Sequence, residues 1–279
     1  MKQLLPVQTP PNHIDVFESI RNNKKRGLAK TALLLAESDI RDRFTEYETR
    51  LSADTLAAMP ASTLGGIRDE LRSCYAPTKR MNELKQAIRD AQPKGRLLWC
   101  PYCGATTPGS YDHYLPAGRF PEFAAHALNL VPACGRCNST KGEEWLNAGA
   151  RQYLHFYQDA IPVVPFLSVT ITSDHAACAV GATFSVQRAG MQAEEWALVE
   201  AHFQNLRLIE YYDGYSNDFI NTILRSARSY ISNGGASAAD FLASEAAENA
   251  SLYGEYGWRA VLLNAMSTHP DLSLWIAWL

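Results

Sequence analysis

The chain has 279 residues, a formal net charge of −3 and 47% hydrophobic residues. That is ample apolar material for a core, in two or three domains or in one domain with extensions. No apolar run approaches the ~20 residues of a membrane-spanning helix, and the opening Met-Lys-Gln-Leu-Leu-Pro lacks the apolar stretch of a secretory signal. A cytoplasmic protein with no membrane partner is therefore expected.

Residues 1–95 read as a helical region. Ala29 to Ile40 is a run of strong helix formers. Thr78 to Ala91 carries Met81, Leu84 and Ile88 at helical spacing, and Pro60 and Pro77 punctuate the region. Residues 1–96 hold 17 Lys and Arg against 12 Asp and Glu, a net of +5. The densest basic cluster, Lys24, Lys25 and Arg26, reads as a phosphate-binding patch, with a solvated helix end as the other reading.

Residues 96–150 carry the chemistry. Arg96-Leu-Leu-Trp is expected as a short strand leading into Cys100-Pro-Tyr-Cys103-Gly104. A second CxxC pair, Cys134 and Cys137, follows after thirty residues. Two residues between ligands let one tight turn aim two sulfurs at one ion, and two such knuckles complete a tetrahedral zinc site. With all four positions filled by protein, that zinc is structural. Cys74 and Cys178 remain as lone cysteines and are expected to be buried apolar residues.

Between the knuckles lies Tyr111-Asp112-His113-Tyr114-Leu115, with the alternation of a strand, followed by a loop punctuated by Pro116, Gly118 and Pro121. Phosphodiester hydrolysis needs an activated water and charge stabilisation at the leaving oxygen. A neutral histidine can take the proton from water near pH 7. A hard cation such as Mg²⁺ or Mn²⁺ wants oxygen ligands, which Asp112 and Asn138 offer. Successive strand residues point to opposite faces, so Asp112 and His113 are expected to diverge into two jobs. The sequence from Cys137 onward reads as a helix start. His126 carries a weak catalytic expectation, and His155 reads as a member of an aromatic cluster.

With these residues in this order, the segment resembles the HNH endonuclease family. The resemblance covers about 45 of the 279 residues. It implies a ββα-metal fold held by the four-cysteine zinc site. It also implies that His113 is the general base, that Asp112 is the adjacent metal-binding carboxylate and that Asn129 shapes the loop and orients the base. Asn138 matches the third position, giving an H-N-N variant whose amide oxygen favours Mg²⁺ or Mn²⁺. Lys141 falls where a basic residue often follows, as a possible phosphate contact.

Residues 151–279 change character, with 6 Lys and Arg against 13 Asp and Glu, a net of −7. Phe166–Thr172 and Ala179–Gln187 alternate and read as a hairpin. Stretches 194–209, 216–231 and 237–251 read as helices, with Gly234-Gly235 as a break. The tail, Ser273-Leu-Trp-Ile-Ala-Trp-Leu279, is apolar enough to need cover, on its own chain or at an interface. An acidic region grips nucleic acid poorly and fits a protein surface.

The expected fold is α+β, mostly α. A helical N-terminal region (1–95) precedes a central HNH module (96–150) and an acidic region of a hairpin followed by helices (151–279). The expected function is a metal-dependent endonuclease acting on DNA, in phage defence or restriction. It would work alone, as a homodimer or with a partner protein such as an ATPase. Two other readings stay open: a non-catalytic zinc module that binds nucleic acid or protein, and a ribonuclease using the same site.

Overall fold

A computed structural model describes residues 2–7, 12–160 and 162–279. The chain is a mostly helical α+β protein with small two-stranded antiparallel sheets. Two compact units divide it. One holds Gln3–Tyr102 and Thr106–Ala160; the other holds Lys2, Cys103–Ala105 and residues 162–279.

In the first unit, α1 (His13–Asn22) starts at Asn12, whose side chain accepts from the Asp15 amide, and buries Phe17 and Ile20. The helix-forming run at 29–40 divides at Ala36 into α2 (Leu28–Leu35) and α3 (Glu37–Ser52). A series of good helix formers carries no signal for such a bend. Helix α3 buries Ile40, Phe44, Tyr47 and Leu51, one stripe at spacings of three and four. The single turn α4 (Arg68–Arg72) is anchored by buried Leu71. Helix α5 (Lys79–Asp90), capped by Thr78, buries Met81, Leu84 and Ile88, the stripe read from the sequence.

Residues 96–98 form a 3-10 turn and not the expected strand. Gly95, in a left-handed conformation at φ 84°, turns the chain there. The strand β1 (Ser110–His113) pairs antiparallel with β2 (Leu130–Ala133), with Asp112 opposite Val131 and His113 opposite Leu130. Helix α6 (Gly135–Lys141) follows at once, so the local order is β, β, α. His126 lies between two 3-10 turns and not within a helix. A two-residue hairpin, β3 (Leu146–Asn147) with β4 (Ala150–Arg151), ends the regular structure of this unit.

In the second unit, β5 (Leu167–Asp174) and β6 (Ala179–Val186) form the expected hairpin. Cys178 at its turn is exposed, contrary to the expectation of burial, because the turn lifts it off any core; Cys74 is buried as expected. Five helices follow: α7 (Ala193–Asn205), α8 (Leu208–Ser232), α9 (Ala238–Tyr253), α10 (Trp258–Ser267) and α11 (Leu272–Ala277). The chain breaks at Arg207, φ 48°, and then runs as a helix through the gap expected before Ser216. Of the apolar tail, Trp275 is covered by this unit, whereas Leu274 is exposed and Ile276, Trp278 and Leu279 are partly buried. Trp275 is buried, its indole nitrogen donates to Ser173 Oγ, and His269 stacks on its ring. Within the same unit, Arg259 donates to the carbonyls of Gly104 and Ala105, and Tyr212 donates to that of Cys103. Among the described residues no helix is long and apolar enough to cross a membrane.

Candidate active site and four-cysteine metal centre

Cys100, Cys103, Cys134 and Cys137 are all buried, and their four sulfur atoms lie within 4.8 Å of one another. One zinc ion bound at ~2.3 Å to four sulfurs in a tetrahedron would set them about 3.8 Å apart, so the cluster is compact enough to take a single ion. The local backbone explains the convergence. The Cys100 amide donates to the Thr106 carbonyl, closing the first turn, and Gly104 takes the left-handed φ of 62° that a bulkier residue would resist. Cys134 is the N-cap of α6, its sulfur accepting from the Cys137 amide. None of the four is in a disulfide. The buried cluster is consistent with a structural zinc site.

Next to it, β1 and α6 flank a cleft of about 490 Å³. Asp112, His113 and Asn138 line it together. So do Asp69, Arg72 and Tyr75 from the helical region, and Gly118 and Glu143.

His113 sits at the end of β1. Its Nε2 lies 3.0 Å from the Ala124 carbonyl, an acceptor only, so Nε2 carries the hydrogen and Nδ1 is left with its lone pair. Tyr75 packs edge-on against the ring at 4.5 Å. Burial holds its pKa below the ordinary histidine value, opposed by the Ala124 carbonyl and Asp112. The imidazole is neutral at pH 7, the form a general base needs.

Asp112 is 2% exposed. Its Oδ2 accepts from the Tyr102 hydroxyl at 2.7 Å, and Lys141 Nζ lies 3.2 Å from Oδ1 and 3.1 Å from Oδ2. An ionised carboxylate has about four acceptor positions, so these donors leave room for one further partner. Asn138 donates its amide nitrogen to Ser110 Oγ at 3.2 Å, which leaves its carbonyl oxygen as the atom able to ligate a cation.

Asn129 is fully buried and does not line the cleft. Its Oδ1 accepts from the Leu115 amide, and its Nδ2 donates to the carbonyls of Leu115 and Phe123. It clasps the two ends of the loop whose Ala124 carbonyl holds His113.

Lys141 is placed differently from the expected phosphate contact. It is 1% exposed, and its ammonium donates to Asp112 and to the His113 carbonyl. It lies i+4 from buried Cys137 on α6, hence on the inward face. Burial lowers its pKa and Asp112 opposes the fall. The basic cluster divides: Lys25 and Arg26 are exposed, whereas Lys24 donates to the carbonyl and hydroxyl of Ser73, beside the cleft. None of the three lines the cleft. His126 bonds Glu48 of α3, and His155 packs on Tyr114 with its Nε2 at the Tyr47 hydroxyl.

Arg72, Tyr75 and Asp69 carried no sequence signal, since nothing in their spacing relates them to a motif forty residues ahead. They arrive because α4, which carries Asp69 and Arg72, and the 3-10 turn Ser73–Tyr75 that follows it both pack on the 121–125 segment.

No protein-family profile matches the chain. A segment of 62 residues is 39% identical to Protein ea31 of Escherichia phage lambda, covering 22% of this chain and 21% of that protein. The chain thus spans about a fifth of that relative's length. No solved structure matches.

Proposed function

We propose that this protein is a metal-dependent endonuclease that hydrolyses phosphodiester bonds, with DNA as its substrate. One observation carries the reading: His113, its proton held on Nε2 by a backbone carbonyl, faces the same cleft as Asp112 and Asn138. A bare zinc module has no use for a neutral histidine held in that way beside a buried carboxylate.

The donor set fits a hard divalent cation. Asp112 and Asn138 offer oxygen, and Glu143 lies on the same cleft. Such a cation, when bound, supplies charge neutralisation at the phosphate and the leaving oxygen. The remaining work falls to the chain. His113 Nδ1 accepts the proton of the attacking water, the Ala124 carbonyl stabilises the imidazolium that forms, and Asn129 keeps the loop bearing that carbonyl closed. Tyr102 and Lys141 fix the Asp112 carboxylate. The zinc knuckles serve as the frame for β1 and α6.

His113→Ala tests the reading on plasmid DNA and on RNA with Mg²⁺ or Mn²⁺. Loss of a general base costs at least about 100-fold, with zinc content and melting temperature preserved. Cleavage by the variant at the parental rate overturns the assignment, and cleavage of RNA alone moves the substrate class. A phage-defence role with a partner protein such as an ATPase is part of the same proposal; co-purification from the native host checks it.

A further inference from the structure

Besides a metal ion, a basic side chain is the strongest grip on a phosphate, and the motif's own lysine is taken. Lys141 is buried against Asp112, and its charge is spent there. The carboxylates lining the cleft are Asp69, Asp112 and Glu143. Arg72 brings the opposite charge. It is exposed, lines the same cleft as His113 and makes no ion pair among the described residues. An arginine left without a carboxylate partner beside a candidate general base is suited to an anionic oxygen of a substrate.

Its backbone is also held in place. Leu71 on one side is 1% exposed, and Ser73 on the other accepts from Lys24 Nζ at its carbonyl, 3.0 Å, and at its hydroxyl, 2.7 Å. The turn α4 that carries Arg72 packs on the 121–125 segment, the one whose Ala124 carbonyl orients His113. The base and the guanidinium are therefore referred to one piece of backbone. This also gives Lys24 a use: it braces the Arg72 turn from below.

We infer that Arg72 grips a backbone phosphate of the nucleic-acid substrate in this cleft, with Lys24 as a positioning residue behind it. The inference rests on the nuclease reading and deepens it. A backbone phosphate is common to DNA and RNA, so the contact carries affinity without sequence preference.

The test is fluorescence anisotropy of labelled duplex DNA and of RNA in the His113→Ala background, over a series of salt concentrations. Arg72→Ala is expected to weaken binding by about 10- to 100-fold, the range for a hydrogen bond to a charged group, and to make the slope of log K against log salt shallower by about one. Arg72→Lys should keep the slope, because it keeps the charge. Lys24→Met should weaken binding with the slope unchanged, since Lys24 touches Ser73 and no phosphate. Unchanged affinity and slope for Arg72→Ala on both polymers overturn the inference; if the wild type still cleaves and His113→Ala does not, the nuclease reading survives that result. Failure of the His113→Ala protein to bind either polymer, with no cleavage of either by the wild type, removes both.

Discussion

The hydroxyl of Tyr102 donates to Asp112 Oδ2 at 2.7 Å, and both groups are buried. Tyr102 is one of the two residues between Cys100 and Cys103, so the turn that presents sulfur to one metal also holds the carboxylate proposed for the other. Burial, then the nearby Asp112 charge, pushes the phenol's pKa well above its ordinary value, so the hydroxyl stays a donor.

Tyr102→Phe should therefore leave the zinc centre loaded while disturbing Asp112. The ring stays against Phe156, so packing is kept. The lost hydrogen bond to a charged group is worth about 1.5–3 kcal/mol. The expected result is full zinc stoichiometry with a raised Mg²⁺ requirement for cleavage, read by metal analysis and by Mg²⁺ titration. An unaltered Mg²⁺ dependence would detach Tyr102 from the site.

Lys141 and Asp112 form a buried ion pair, and removing one partner leaves the other charge uncompensated. Lys141→Met should cost about 3–5 kcal/mol of folding stability. Adding Asp112→Asn removes the stranded charge and should recover most of that loss, although the double variant stays inactive. Denaturant unfolding of the parent, both single variants and the double decides it. Additive losses would mean that the two residues do not interact.

What the sequence disclosed and what it hid follow from the range of the forces involved. The cysteine spacing declared a metal cluster because CxxC is local geometry. Met81, Leu84 and Ile88 declared the buried face of α5 because periodicity is local too. The burial of Lys141 was also within reach: Cys137 and Lys141 are one helical turn apart, so the inward direction of one implies that of the other. Arg72 and Tyr75 were out of reach. They join the cleft through tertiary packing of a one-turn helix and the 3-10 turn after it, and no pattern in their own neighbourhood foretells what those turns pack on. Arg96–Leu98 failed as a strand for a related reason: an apolar stretch reads as a strand until a turn such as that at Gly95 intervenes.

The four-cysteine centre should behave as a folding element. Structural zinc contributes folding energy directly. Cys134→Ser should lose zinc and lower the melting temperature sharply, since Cys134 is both a sulfur donor and the cap of α6. Asp112→Ala and Asn138→Ala should keep zinc and lose Mg²⁺-dependent cleavage. Metal analysis with thermal melting checks this; purified protein that holds no zinc, and whose melting is untouched by a strong chelator, would remove the metal centre.

His155 supplies a pH dependence that can be isolated. Its ring is fully buried against Tyr114, with Nε2 at the Tyr47 hydroxyl. Burial first, and then the Arg151 charge, lowers its pKa to about 3. The unfolded chain has a histidine pKa of about 6.5. Below that pH the unfolded state takes up a proton that the folded state refuses, so stability is complete above about 6.5 and declines as pH falls toward 3. His13, lowered to about 4 by burial and by His126, acts in the same direction. His155→Gln removes one titrating group and should flatten the curve below pH 6.5, by up to about 1.4 kcal/mol per pH unit for one proton. Denaturant unfolding between pH 5.5 and 7.5, variant against parent, gives the difference and cancels any acid loss of zinc common to both. Parallel curves would mean that His155 is not held neutral by its burial.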